Sequence, residues 1–264
     1  MKVRQSVVSG AFYPNECDEI KHYIAHFNAT MPKITVALTP RALIVPHAGY
    51  IYSGITANLA YNLTASKRSD IKRVIVIGPS HRVYLEGASI ALYDTFQTPC
   101  KDIGIDLDYS HKLKEQYAFL DFIPQAHEEH STETQMPFIA HYFPEASVVE
   151  IVYGKITHES LSLLINTLLD DTQNLVVIST DLSHFHTQEV ANTKDKYCIE
   201  AINHLDIQSL EQCEACGITG VKAMVESAKK IGFKPHFLDY RTSYQRTKDA
   251  SRVVGYTSFV FEEI

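Results

Sequence analysis

The sequence predicts an α/β fold in one domain that covers residues 1–264, an αβα sandwich whose central sheet is largely parallel or mixed. Short apolar runs alternate along the chain with segments whose apolar residues recur at helical spacing. Most of these runs are apolar throughout, which is typical of parallel strands covered on both faces. No Pro/Gly/Ser-rich linker and no internal repeat divides the chain, so one large domain is expected.

Helices are predicted where apolar residues recur every three to four positions, often after a capping residue. Ser53 and Gly54 are expected to form a cap and a joint before the second helix, and Ser131 and Thr157 to cap later ones. Gly232 is expected to end the last helix. The predicted helices cover 18–27, 53–63, 108–117, 131–143, 157–168, 193–205 and 219–231, and a loop with a short extended piece is predicted over 28–40.

Strands are predicted over 42–45, 73–77, 87–93, 146–153, 174–179, 235–240 and 252–261. Three of these predicted strands end close to a histidine. The first leads into His47, the second into His81, and the strand over 174–179 into Asp181 and His184. The carboxyl ends of parallel strands meet at one edge of a sheet, where ligands bind. One isolated histidine would more often be an ordinary loop residue, but the converging set predicts a metal site or acid/base chemistry.

Composition excludes several other classes of function. A formal net charge of -7 argues against a nucleic-acid surface, which usually carries a basic excess. The amino terminus lacks the apolar core of a signal peptide, and no run approaches the roughly 18 apolar residues of a membrane span, so a cytoplasmic protein is expected. Five scattered cysteines indicate reduced thiols rather than a disulfide framework. His127 is expected on the surface, because His127-Glu-Glu-His130 lacks the spacing of a zinc-protease motif.

Motifs along nearly the whole chain resemble those of the Memo-like family, whose bacterial and archaeal members are also called AmmeMemoRadiSam system protein B. That family is similar in fold to the class III extradiol ring-cleaving dioxygenases. The motifs are Arg4 with Gly10-Ala-Phe-Tyr-Pro14, Pro46-His-Ala-Gly-Tyr50, Tyr52-Ser-Gly54, Gly78-Pro-Ser-His81, Glu129-His-Ser131 with Glu133 and Pro137, Ser179-Thr-Asp181 with Ser183-His184, and Cys216-Gly217 with Gly220.

The resemblance implies roles for individual residues. His47 and His81 match the two histidines that hold the metal. His184 matches the base that acts on a catechol hydroxyl in the dioxygenases, and Asp181 matches its neighbour. His130 and Glu133 match residues that face the same pocket. Tyr50 could line this pocket, and Cys216 is expected to be a packed thiol that faces it.

The third metal ligand departs from the family pattern. The dioxygenases use a glutamate and animal Memo proteins a cysteine, at a position where this chain has Arg246 with Gln245 beside it. Neither residue is a good metal ligand. Asp239, Asp249 or Cys216 could take that place if the fold brings one close.

The resemblance implies a metal-dependent oxidoreductase related to the dioxygenases. Its metal would be Fe(II), with copper or zinc as alternatives, since all three accept imidazole ligands. One alternative is a non-catalytic protein that binds a peptide or partner in the ancestral pocket, and a weaker one is metal-assisted hydrolysis. A small molecule or peptide is therefore the expected ligand, and the family name implies a radical-SAM partner.

Overall fold

A computed structural model describes residues 1–32, 34 and 38–263. The α-helices within them are α1 (Cys17–Thr30), α2 (Tyr50–Lys67), α3 (Leu107–Gln116), α4 (His130–Glu133), α5 (Met136–Tyr142), α6 (His158–Asp170), α7 (Gln188–Asn203), α8 (Ile218–Ile231) and α9 (Tyr244–Thr247). The strands are β1 (Val3–Arg4), β2 (Pro40–Val45), β3 (Arg73–Pro79), β4 (Ala88–Ile90), β5 (Thr95–Phe96), β6 (Ile103–Gly104), β7 (Leu120–Asp121), β8 (Ser147–Tyr153), β9 (Asn174–Ser179), β10 (His184–His186), β11 (Lys234–Thr242) and β12 (Val253–Glu262).

Nine strands form a central mixed sheet in the order β10-β12-β2-β9-β3-β8-β4-β7, with β11 paired to β12. The four middle strands, β2, β9, β3 and β8, run parallel. Antiparallel neighbours flank them, β12 beside β2 and β4 beside β8. The mixed α/β fold with a largely parallel centre is therefore confirmed. A small second sheet, β1-β5-β6, was not predicted.

Both faces of the sheet are covered by helices, which explains why the central strands are apolar throughout. Side chains alternate between the two faces of a strand. In β2, Ala42 and Ile44 pack in a core that includes α6, α7 and α8, whereas Leu43 and Val45 pack in a core that includes α1, α2 and α5. Each fully buried leucine, isoleucine or valine contributes roughly 1.5–3 kcal/mol, so these strands are fixed in position by burial.

Element boundaries agree with the sequence at several points and differ at others. Strand β9 spans the predicted residues, Thr157 caps α6, and Gly232 ends α8 in the left-handed conformation. Helix α2 begins at Tyr50, ahead of the predicted start at Ser53, because Gly49 supplies the extended N-cap backbone. Part of the predicted 28–40 loop belongs to α1, and its residues 33 and 35–37 lie outside the described residues.

Gly54 is a packing residue and not a flexible joint. It lies inside α2, and a Cβ at this position would come within 2.8 Å of the Phe27 ring. Helix α1 can therefore pack closely against α2 at this point. The predicted cap at Ser131 was also wrong, because Glu129 is the N-cap of α4 and accepts a hydrogen bond from the Ser131 N–H.

The expectation that all five cysteines are free thiols was wrong. Cys17 and Cys100 form a disulfide with a Cα–Cα distance of 4.6 Å and a sequence separation of 83. Sequence spacing did not indicate this pair, because the fold brings the start of α1 beside the loop between β5 and β6. Cys198, Cys213 and Cys216 are free. Among the helices described here, none combines the length and apolar character needed to cross a membrane.

Candidate metal centre

Three neighbouring strands deliver polar side chains to one edge of the sheet. His47 follows β2, Asp181 follows β9 and His81 follows β3, and these strands are adjacent and parallel. The rings of His47 and His81 consequently lie with centroids 5.2 Å apart. His130 comes from the start of α4 on the same edge, with its ring 5.3 Å from that of His47 and 4.5 Å from that of His81.

His47 is the buried histidine of the centre, and hydrogen bonds fix its orientation. The Ser179 hydroxyl donates its proton to the Ser131 carbonyl at 2.5 Å and lies 3.0 Å from His47 Nδ1. Because that hydroxyl has already donated its only proton, Nδ1 of His47 is the donor in their contact, and Nε2 keeps its lone pair. Burial lowers the pKa of His47 well below its usual value, so the ring is neutral.

Cys216 approaches His47 from the loop before α8. Its Sγ lies 3.2 Å from His47 Nε2 and accepts a hydrogen bond from the Asp181 N–H, also at 3.2 Å. Burial raises the pKa of the thiol to about 12, and the Asp181 carboxylate adds to this. Gly217 makes the approach possible, because a Cβ there would lie 2.7 Å from Thr180. The donor atoms of His47, His81 and Cys216 all lie within 4.8 Å of one another.

A buried carboxylate orients two of the histidines. Glu129 accepts hydrogen bonds from His81 Nδ1 at 3.1 Å and from the His81 N–H at 2.6 Å, and its Oε1 lies 2.8 Å from His130 Nδ1. Burial opposes ionisation of Glu129, but the hydrogen bonds from His130 and His81 outweigh it and hold its pKa well below the usual range. In the sequence analysis Glu129 appears only within a motif, and its position directly before His130 is the signal that could have indicated this role.

Asp181 and His184 complete the centre. Asp181 is 5% exposed, and its Oδ1 accepts the His47 N–H at 2.8 Å. Burial raises the pKa of Asp181, against the opposing influence of the His47 N–H and of the nearby His184 and His130 rings. His184 is half-buried at the start of β10, and its ring packs edge-on against Phe185.

Comparisons with known proteins identify the family of this chain. A family model described as "Memo-like protein" matches residues 4–260. The chain belongs to the Memo-like family. It is 33% identical to a MEMO1 family protein of Aquifex aeolicus, over 99% of this chain and 100% of that protein. It is 31% identical to the MEMO1 family protein TV1383 of Thermoplasma volcanium, over 98% of each.

A solved structure shares the fold. The crystal structure of the uncharacterized protein JW3007 from Escherichia coli K12 aligns with a TM-score of 0.56 at 11% identity. The alignment covers 83% of this chain and 99% of that one. At this identity the likeness concerns the fold alone.

The structure places two residues of the predicted pocket elsewhere in this Memo-like protein. Glu133 is fully buried and binds the amino-terminal segment, accepting from the Arg4 guanidinium at 2.7 Å, the Val8 N–H at 2.8 Å and the Tyr13 hydroxyl at 2.9 Å. Tyr50 stacks on Phe138 in the core. These contacts direct both side chains away from the centre.

The carboxyl-terminal loop brings no ligand into the centre among the residues described. The Gln245 side-chain oxygen accepts from the Thr242 N–H at 2.9 Å, and Arg246 is exposed on α9. Asp239 pairs with Arg241, and Asp249 binds the neighbouring Ser251. Of the three alternatives to Gln245 and Arg246, Cys216 is the one that joins His47 and His81.

The surface position expected for His127 was wrong. His127 is fully buried, with Nδ1 2.9 Å from Glu150 Oε2 and Nε2 2.8 Å from Ser89 Oγ. A serine, a histidine and a carboxylate in this order resemble a nucleophilic triad. Ser89 is also fully buried and is hydrogen-bonded by the Ile123 N–H at 2.8 Å, so substrate has no access and the cluster stabilises the fold.

Proposed function

We propose that this Memo-like protein binds one redox-active transition-metal ion, copper or iron, through His47, His81 and Cys216, and uses it as an oxidoreductase acting on a small molecule. The observation that carries the proposal is the 3.2 Å approach of Cys216 Sγ to His47 Nε2, within a group whose three donor atoms lie within 4.8 Å. Nitrogen and sulfur ligands of a tetrahedral ion lie about 3.5 Å apart, so small side-chain movements would suit them to a metal.

The donor set supports copper ahead of Fe(II). A thiolate is softer than the carboxylate that completes the facial site of non-haem iron enzymes. Two imidazoles and a thiolate suit copper, and they would also hold zinc, which has no redox chemistry. When bound, copper or iron would supply a one-electron couple and a Lewis acid next to the substrate.

The chain's own residues would handle protons. A hydroxyl group of the substrate would donate its proton to His184 or His130, since both rings lie close enough to Asp181 to influence its pKa. Asp181 would hold the His47 backbone in place through the 2.8 Å hydrogen bond. Solvent reaches the centre beside His81, whose side chain is 30% exposed, so a small molecule could enter there.

Metal analysis of protein purified without affinity tag or chelator tests the proposal. We expect about one metal ion per chain, lost in His47→Ala and His81→Ala and bound much more weakly by Cys216→Ser. His186→Ala is the matched control, because His186 lies two residues from His184 but binds Glu214 at 2.6 Å. Absence of binding at every metal concentration tested would overturn the proposal and favour the peptide-binding alternative. If the metal is bound, measurement of oxygen uptake with catechols separates an oxygenase from a hydrolase.

A further inference from the structure

We propose that Glu129 is the positioning residue that fixes the proton on Nδ1 of both His81 and His130. The two rings then present Nε2 to the centre, one as a metal ligand and the other as a proton acceptor. The inference rests on the proposed function for these two roles, but the assignment of the protons rests only on the contacts that Glu129 makes with the two rings.

The contacts of Glu129 leave little freedom to either ring. Its side chain is 1% exposed. Oε1 lies 2.8 Å from His130 Nδ1, 3.1 Å from His81 Nδ1 and 3.1 Å from the Ser131 nitrogen, whereas Oε2 accepts the His81 N–H at 2.6 Å. An ionised carboxylate can only accept hydrogen bonds. Nδ1 must therefore carry the proton in both rings.

Oε1 of Glu129 thus contacts both the proposed metal ligand, His81, and the proposed proton acceptor, His130. Partners of this kind orient metal-binding histidines and make them more basic ligands. Glu129 does so for His81 and at the same time leaves the Nε2 lone pair of His130 free, with that ring held between Phe12 at 4.8 Å and His81 at 4.5 Å. A carboxylate that only capped α4 would need the Ser131 N–H and neither imidazole.

Glu129→Ala is the informative variant, because it removes the one oxygen, Oε1, that lies against Nδ1 of both rings. No side-chain acceptor then remains at position 129 to hold a proton on either Nδ1. Glu133→Gln is the matched control, because Glu133 lies on the same short helix and is equally buried but binds the amino-terminal segment.

The tautomers can be read directly from long-range ¹H–¹⁵N correlation spectra of metal-free protein at about pH 8, where ordinary imidazoles are neutral. Signals would be assigned with His81→Ala and His130→Ala. We expect protonated Nδ1 in both rings of the wild-type protein and of Glu133→Gln, and a protonated Nε2 in at least one ring of Glu129→Ala. Metal affinity should fall about 10–100-fold in Glu129→Ala.

A protonated Nε2 on either ring of the wild-type protein overturns the inference, even if Glu129→Ala does not fold. Unchanged tautomers in folded Glu129→Ala overturn it as well. Failure of the proposed function is a separate result, since wild-type protein that binds no metal can still show the two Nδ1 protons.

Discussion

The Cys216 thiol must lose its proton before it can bind a metal. Its pKa of about 12 in the metal-free protein lies above the neutral range, while burial of His47 keeps that ring unprotonated. Binding of Zn²⁺ should therefore release one proton from Cys216, and the apparent association constant should rise about tenfold per pH unit between about pH 7 and pH 9. Competition titrations with a chromophoric chelator measure this slope. It should be close to zero in Cys216→Ser, and an equal slope there would exclude the thiolate as ligand.

Glu133 was expected in the pocket from the family resemblance, but its contacts predict a structural role. Arg4 is 3% exposed, and Glu133→Ala would remove its partner at 2.7 Å and leave it only the more distant Glu150 carboxylate at 3.9 Å. We expect a loss of about 3–5 kcal/mol in the free energy of unfolding, measured in urea, with metal stoichiometry unchanged in the folded fraction. Exposed Glu128 is the control, and Glu128→Ala should change stability by less than about 0.5 kcal/mol. Loss of metal binding in a stably folded Glu133→Ala variant would instead show that Glu133 belongs to the metal centre.

At the scale of elements, the sequence was informative wherever a site residue directly follows a buried parallel strand. His47, His81 and Asp181 could be placed because β2, β3 and β9 are unbroken apolar runs, and their carboxyl ends had to meet. Cys216 could be named only as an alternative. It lies in an irregular loop, whose position depends on how α8 packs against the sheet, and no periodic pattern records that packing.

Two helix ends with the same backbone conformation carry different residues. Gly232 ends α8 with φ +83°, and Lys248 ends α9 with φ +59°. A Cβ at Gly232 would meet nothing within 4 Å, so the cost of a side chain there is conformational. We expect Gly232→Ala to lower the free energy of unfolding by about 1 kcal/mol and Lys248→Gly to raise it by about 0.5–1 kcal/mol. Denaturant unfolding of both variants checks this, and a destabilised Lys248→Gly would show that the Lys248 side chain stabilises the loop.

For the whole molecule, the fold class could be predicted from the sequence, but the order of the strands could not. Apolar runs that alternate with helical segments indicate parallel strands covered by helices. The position of β9 between β2 and β3 in the sheet, however, is not encoded in any local sequence pattern. The strands of the small sheet, β1, β5 and β6, have two residues each, too few to show any alternation. The disulfide could not be predicted for a related reason, because it joins two positions that only the complete fold brings together.

The Cys17–Cys100 disulfide closes a loop that contains both His47 and His81. A crosslink over 83 residues restricts the unfolded chain and should stabilise the fold by about 4.5 kcal/mol. Cys17→Ser/Cys100→Ser should therefore unfold at lower urea concentration by that free energy. The metal centre should be unaffected, since β2 and β3 are held in place by their packed neighbours.

Reductant provides the matched control for the disulfide. It should destabilise the wild-type protein to the level of the double variant and leave the double variant unchanged, because Cys198, Cys213 and Cys216 are already free thiols. A reductant effect that persists in the double variant would point to another crosslink. Equal stability of the wild-type protein and the double variant would mean that the unfolded chain is already compact around this loop. In that case burial of the central strands alone would hold the two histidines together.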